Sequence, residues 1–208
     1  PGQNSNAVAE LAIGLMIYIY RCKFNGKSGS ELKGKKLGLH AFGAVSRALA
    51  KIALGFNMEV YAFSRSVTKE EMAKEGVKIS DTIENLYSTC DFVSLHIPAT
   101  ELTKKMINFD LMNRMPKNAV LINTARKEVI CEESLKKIFA SRKDFRYSSD
   151  VAPDCAAELE KEYADRYYST AKKCGAQTEE ANVNAGVAAV KQIVNFFEKG
   201  DKTFQVNK

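Results

Sequence analysis

Several things are scarce or missing in these 208 residues, and each absence removes a class of protein. No apolar run reaches the roughly 20 residues that a membrane-spanning helix needs. The longest, residues 11–20, is too short, and no cationic leader with a small-residue cleavage site precedes it. No arginine–aromatic surface of the kind that binds nucleic acid is visible. The five cysteines (Cys22, Cys90, Cys131, Cys155 and Cys174) are odd in number and scattered, with no C-x-x-C pair. That pattern predicts reduced, mostly buried thiols in a cytoplasmic protein, without a disulfide framework and without a metal site. There is no tryptophan, histidine occurs only at His40 and His96, and no internal repeat stands out.

What is present points to a packed globular chain. Apolar residues make up 45% and charged residues 27%, which excludes a disordered tail. The net charge is +6, and most of it falls in residues 1–36, where six basic residues meet only Glu10 and Glu31. A lysine-rich connector of this kind is a solvated loop. The chain starts at Pro1 and runs within a few residues into an apolar helix, as expected of a piece cut from a longer chain.

Strands and helices then alternate. Lys36-Leu37-Gly38-Leu39-His40 is a short apolar run ending at a turn, and residues 44–55 carry Val45, Leu49, Ile52 and Ala53 at helical spacing. Residues 58–63, 90–95, 118–123 and 145–149 read as further strands, and residues 132–140 as a helix. Asp81-Thr82-Ile83-Glu84 has the form of a capping box opening another helix. Strands that are apolar throughout and separated by helices lie buried on both faces of a parallel sheet. The predicted fold class is therefore α/β, a doubly wound parallel sheet of the Rossmann type.

In such a sheet the first strand-to-helix turn holds dinucleotide phosphate, because glycines let the backbone approach and free helix amides face the charge. Here the turn reads Ala41-Phe42-Gly43-Ala44-Val45-Ser46, with only the middle glycine of G-x-G-x-x-G retained. About 20 residues further on, where a carboxylate usually holds the ribose hydroxyls, stand Ser64-Arg65-Ser66. Hydroxyls and a guanidinium suit a 2′-phosphate, so this position leans toward NADP or toward relaxed selectivity.

Several stretches together resemble the D-2-hydroxyacid dehydrogenase family, in its 3-phosphoglycerate dehydrogenase branch. Asn4-Ser5-Asn6-Ala7-Val8-Ala9-Glu10 is similar to that family's N-x-x-[SA]-V-A-E helix start, and Asp91-Phe92-Val93-Ser94-Leu95-His96-Ile97-Pro98 to its D-x-V-S-L-H-x-P strand. Met115-Pro116-Lys117 with Leu121-Ile122-Asn123-Thr124-Ala125-Arg126 resembles its M-K-P-G…L-I-N-x-x-R segment, and Gly175-Ala176-Gln177-Thr178-Glu179-Glu180-Ala181 its G-x-x-T-x-E-A stretch.

The resemblance implies a nucleotide-binding domain over residues 1–182, including its N-terminal connecting helix. Residues 183–208 would return toward a substrate domain that is mostly absent. It implies NAD or NADP as cofactor, a small 2-hydroxy or 2-oxo acid as substrate, and a homodimer formed through the region of residues 7–20, an apolar helix this chain could hardly cover alone. Arg126 falls in the slot that binds the substrate carboxylate and polarises the carbonyl. The usual histidine acid/base is missing from its slot before Gly175; Lys173 takes the place, with Lys172 the neighbouring choice. The glutamate that assists the histidine is replaced by Cys155, so that Glu158 or Glu160 has slid into the role or the glutamate is gone. His96 and Thr103 would be cofactor-binding, Ile97 and Pro98 would lie beside the adenosine, Asn123, Thr124 and Ala125 behind the nicotinamide, and Asp150, Gly175 and Ala176 near its carboxamide. Two other functions remain open on these residues: an NADPH-dependent glyoxylate or hydroxypyruvate reductase, and a non-catalytic dinucleotide sensor.

Overall fold

The structure is a computed structural model and describes residues 2–206. The apolar strands lie where burial on both faces demands, in one seven-stranded sheet covered by helices on each side. In chain order the elements are α1 (Ser5–Tyr20), β1 (Lys36–His40), α2 (Ala44–Gly55), β2 (Glu59–Phe63), α3 (Lys69–Lys74), β3 (Lys78–Ile79), α4 (Ile83–Thr89) and β4 (Phe92–Leu95). They continue with α5 (Phe109–Arg114), β5 (Val120–Asn123), α6 (Glu132–Ser141), β6 (Arg146–Ser149), α7 (Ala156–Tyr163), β7 (Tyr167–Ser169) and α8 (Glu179–Lys199). The sheet order is β3-β2-β1-β4-β5-β6-β7, and every pairing is parallel.

Alternation along the strands sorts the core into two layers. Leu37, Leu39, Phe92, Val120 and Ile122 pack with α1 and α2 on one face. Val93, Leu95, Leu121 and Tyr147 pack with α4, α5 and α6 on the other. A Cβ on Gly38 would sit 3.0 Å from both Cys90 Sγ and Leu86 Cγ, so the bare backbone of β1 is what lets α4 lie this close.

Two expectations need correction. The helix cap at α4 is Thr82, whose hydroxyl accepts from Asn85 N at 3.1 Å, while Asp81 pairs with Lys69. The true capping box is at Thr68 and Glu71, opening α3. The cysteines are not mostly buried: only Cys90 is, because Cys22, Cys131, Cys155 and Cys174 stand in turns and at helix starts rather than in strands.

One side of α1 is covered by its own chain, with Ala9, Ala12, Met16 and Ile19 fully buried against α2 and the sheet, while Leu11, Ile17 and Tyr18 are half-buried and Gly14 is exposed. The uncovered apolar helix is α8, with Val183, Val187, Val190, Ile193 and Phe197 exposed. It runs unbroken across residues 182 and 183. Residues 207 and 208 of the C-terminal segment lie outside the described residues. None of the described helices is long and apolar enough to cross a membrane.

Gly38→Ala should lower stability by about 1–3 kcal/mol through overpacking. Adding Cys90→Ala should return part of that loss in denaturant melts, and an undiminished Tm in the single variant would contradict the packing account.

Candidate functional site

Strand order reverses direction between β1 and β4. The chain leaves β1 for α2 in one layer and leaves β4 for α5 in the other, so a crevice opens beyond the carboxyl ends of these strands. A cleft of about 570 Å³ lies there. Its walls are Gly43–Ser46 after β1, His96–Ala99 after β4, Thr124–Arg126 after β5, and Asp150 after β6. Lys173 and Ala176 close one side, and Gly2, Asn4, Ser5 and Val8 at the start of α1 close another. The sequence reading assigned no role to that α1 contribution, although the Asn4-Ser5 helix start was the signal for it.

The β1–α2 loop turns tightly. Ala41 adopts φ +79°, a backbone setting natural to glycine and strained for an L side chain. It is held by its own N–H donating to Phe63 O at 2.9 Å and by Ser46 Oγ donating to Ala41 O at 2.8 Å. Ala41 and Phe42 do not line the cleft; the Phe42 ring is buried in the core beneath the Arg47 guanidinium. Gly43 has open space at its Cβ position, and no side chain caps α2. Its first-turn amides are therefore left facing the cleft with a favourable dipole.

After β4, His96 N donates to His40 O at 3.1 Å. His96 Nε2 is buried in the cleft wall without a partner. Burial, reinforced by the nearby His40, pushes the His96 pKa down to about 3. Burial and the charge of Arg65 push His40 down to about 4. Thr103 does not reach the cleft: its hydroxyl is spent inside the loop, 2.6 Å from Pro98 O and 2.8 Å from Thr100 N.

After β5, the fully buried Asn123 organises the turn. Its Nδ2 donates to Arg126 O at 2.9 Å and to Tyr147 OH at 3.3 Å, and its Oδ1 accepts from Ala125 N at 3.0 Å. Asn123 itself does not line the cleft, whereas Thr124 does, with its hydroxyl buried and unpartnered. Arg126 is exposed, with Nη1 donating to Ala125 O at 2.8 Å.

Asp150 is 1% exposed and clamps the following loop. It accepts from Cys174 N at 2.8 Å, Gly175 N at 2.9 Å and Thr170 Oγ1 at 3.0 Å. A Cβ on Gly175 would come 2.9 Å from Asp150 Oδ2, so the clamp requires glycine there. Lys173 lines the cleft and Lys172 does not; Lys173 is exposed, not buried as an unaided acid/base lysine would need. Neither Glu158 nor Glu160 enters the cleft, because both ride on α7 beyond it and Glu158 is paired with Lys136 at 3.1 Å. Ser64 and Arg65 also lie outside the cleft lining. Ser64 Oγ accepts from Ser66 N and Val67 N, and the Arg65 guanidinium has no hydrogen bond or ion pair among the described residues.

Orphaned polar atoms, an uncapped helix start and open space at Gly43 fit a dinucleotide laid across this crevice. The fold and the crevice are those of a Rossmann-type nucleotide-binding domain. Residues 19–167 match the model of the family described as D-isomer specific 2-hydroxyacid dehydrogenase, NAD binding domain, and the chain belongs to that family.

Among curated relatives, it is 32% identical to a hydroxypyruvate reductase of Thermotoga maritima, over 93% of this chain and 67% of that protein. It is 31% identical to a D-3-phosphoglycerate dehydrogenase of Methanocaldococcus jannaschii, over 93% of this chain and 39% of that one. Among solved structures, the NAD+-bound 3-phosphoglycerate dehydrogenase of Entamoeba histolytica superposes with a TM-score of 0.91 at 42% identity, covering 100% of this chain and 66% of that chain. The chain thus spans about two thirds of two of these proteins and 39% of the other.

Ala41→Gly should relieve the strained φ and raise stability by about 1 kcal/mol, roughly 3 °C in Tm; an unchanged or lower Tm would contradict the strain. The two neutral histidines make stability acid-sensitive. Their folded pKa values lie below the unfolded value of 6.5, so the unfolded chain takes up protons first and stability falls as pH drops from about 6.5 toward 4. Each should remove about 2 kcal/mol by pH 5. His40→Asn should halve the Tm loss between pH 7 and pH 5, and an unaltered slope would count against this origin.

Proposed function

We propose that this chain is the nucleotide-binding part of an NAD(P)-dependent D-3-phosphoglycerate dehydrogenase, which oxidises D-3-phosphoglycerate to 3-phosphohydroxypyruvate. The observation that carries the reading is that Arg126 and Lys173, from loops after different strands, line one cleft with the uncapped start of α2. The NAD+-bound relative from Entamoeba histolytica supports the substrate branch.

Gly43, Ala44 and Val45 would hold the dinucleotide phosphates through backbone amides, Ile97 and Pro98 would flank the adenosine, and Thr124, Ala125, Asp150 and Ala176 would surround the nicotinamide. When bound, the nicotinamide accepts or supplies hydride at the substrate carbon. Arg126, permanently charged and planar, grips the substrate carboxylate and draws electron density from the adjacent carbonyl oxygen. Lys173 exchanges the proton of the hydroxyl oxygen, taking it as a neutral amine during oxidation and returning it as an ammonium during reduction. The substrate domain would cover the cleft and shield Lys173 and Arg126, which both line it, from bulk water. No glutamate is needed to keep a lysine protonated, in keeping with the absence of Glu158 and Glu160 from the cleft. The exposed apolar side of α8 is where that substrate domain would pack.

A second reading is favoured by Arg65, whose guanidinium has no hydrogen bond or ion pair among the described residues, beside the Ser64 turn: NADP as cofactor, with glyoxylate or hydroxypyruvate as the acid reduced.

The test is a titration of this chain with NADH and NADPH, followed by nicotinamide fluorescence, and then turnover of the full-length enzyme. Tighter NADH binding and faster turnover of 3-phosphoglycerate than of glyoxylate are expected. Arg126→Ala should lower kcat/KM by about 100-fold or more, and Lys173→Ala should lower kcat by about 100- to 10,000-fold. Tighter NADPH binding that is lost in Arg65→Ala would establish the second reading, and an unchanged turnover in Lys173→Ala would end the mechanism.

A further inference from the structure

We propose that Asn123 is a positioning residue that presents Arg126 to the substrate, and that it makes no contact with cofactor or substrate itself. The inference rests on the reading of Arg126 as the carboxylate-binding group.

Asn123 ends β5 in register with Leu95 on one side and Ser149 on the other, at the carboxyl edge of the sheet. It is fully buried, so its amide must be satisfied from within the protein. It meets that demand with the three-residue turn that follows. Oδ1 takes the Ala125 N–H at 3.0 Å and Nδ2 gives a hydrogen to Arg126 O at 2.9 Å. One planar group thus bonds both ends of the Ala125–Arg126 peptide segment, and a carboxamide supplies the acceptor and the donor at that spacing whatever the pH.

The second Nδ2 hydrogen points to Tyr147 OH at 3.3 Å, on the neighbouring strand β6. Tyr147 is wholly buried and held in the core by its ring, so the anchor of the turn is the sheet. Among the described residues the Arg126 side chain makes one hydrogen bond, to the carbonyl of Ala125, which belongs to the same turn. The chain of support therefore runs from Tyr147 through Asn123 to the main chain of Arg126, while Thr124 inside the turn stays free to face the cleft.

The decisive variant is Asn123→Asp in the full-length enzyme. It keeps the shape and the acceptor for Ala125 N but loses both donors when ionised. The expected result is a KM for the 2-hydroxy acid raised about 10-fold or more, with the NADH dissociation constant within twofold of the parent. The defect should shrink as pH falls, because a protonated Asp regains one hydrogen to donate to Arg126 O. A residue serving only the fold would lower Tm without that split or that pH rescue. Tyr147→Phe, which removes the anchor and keeps the ring, should raise the same KM by a smaller factor, and it supplies the test if Asn123→Asp does not fold.

Arg126→Ala is run alongside. If it raises KM for the acid while Asn123→Asp and Tyr147→Phe leave KM unchanged, the positioning role is wrong and the function stands. If Arg126→Ala has no effect on KM, the proposed function fails at its root. Loss of NADH binding in Asn123→Asp would overturn the inference in favour of a cofactor role.

Discussion

A parallel strand cannot turn straight back into its neighbour. Each must be followed by a crossover that returns the chain to the starting edge of the sheet, and with seven strands running one way every strand delivers its last residue to the same rim. Gly43, His96, Thr124 and Asp150 are unrelated in sequence and share the cleft only because of this. The position of the crevice along that rim follows from where the winding changes layers, between β1 and β4, since helices diverge there and leave no covering. Uniform strand polarity and the change of layer place the site before any particular side chain is considered.

Within the site, buried polar groups divide into two sets. Asn123 and Asp150 have their bonds filled by the turns that follow them, and the result is shape. His96 Nε2 and Thr124 Oγ1 have none, although each is buried and each faces the cleft. An unfilled buried group carries a free-energy penalty, which a bound ligand with a matching donor or acceptor would remove. Burial also keeps the two histidines neutral, so this end of the cleft adds no fixed positive charge to that of Arg126.

Much of this was legible from the chain itself. Continuous apolar runs such as Phe92-Val93-Ser94-Leu95 announce strands covered on both faces, and their alternation with helices announces the doubly wound sheet. The residues of the cleft were legible wherever they follow a strand directly. What escaped depended on partners far along the chain. Whether Lys172 or Lys173 turns inward is set by Asp150, more than 20 residues earlier, binding the next two amides. Thr103 and Phe42 stand at plausible positions but spend a hydroxyl on the loop and a ring on the core. The cover over α1 was invisible because apolar periodicity marks a buried face without saying what buries it.

The Asp150 clamp also acts on mechanics. The loop it holds passes through Gly175 and leads directly into α8, whose 21 residues extend for about 31 Å, largely clear of the body. Lys173 therefore sits beside the fulcrum of a long lever. A swing of α8 by about 10° carries its far end through about 5 Å, yet it displaces the lysine hardly at all. Motion of that arm leaves the cleft wall at Lys173 nearly in place, because the pivot is bolted to the sheet by a carboxylate and two backbone amides.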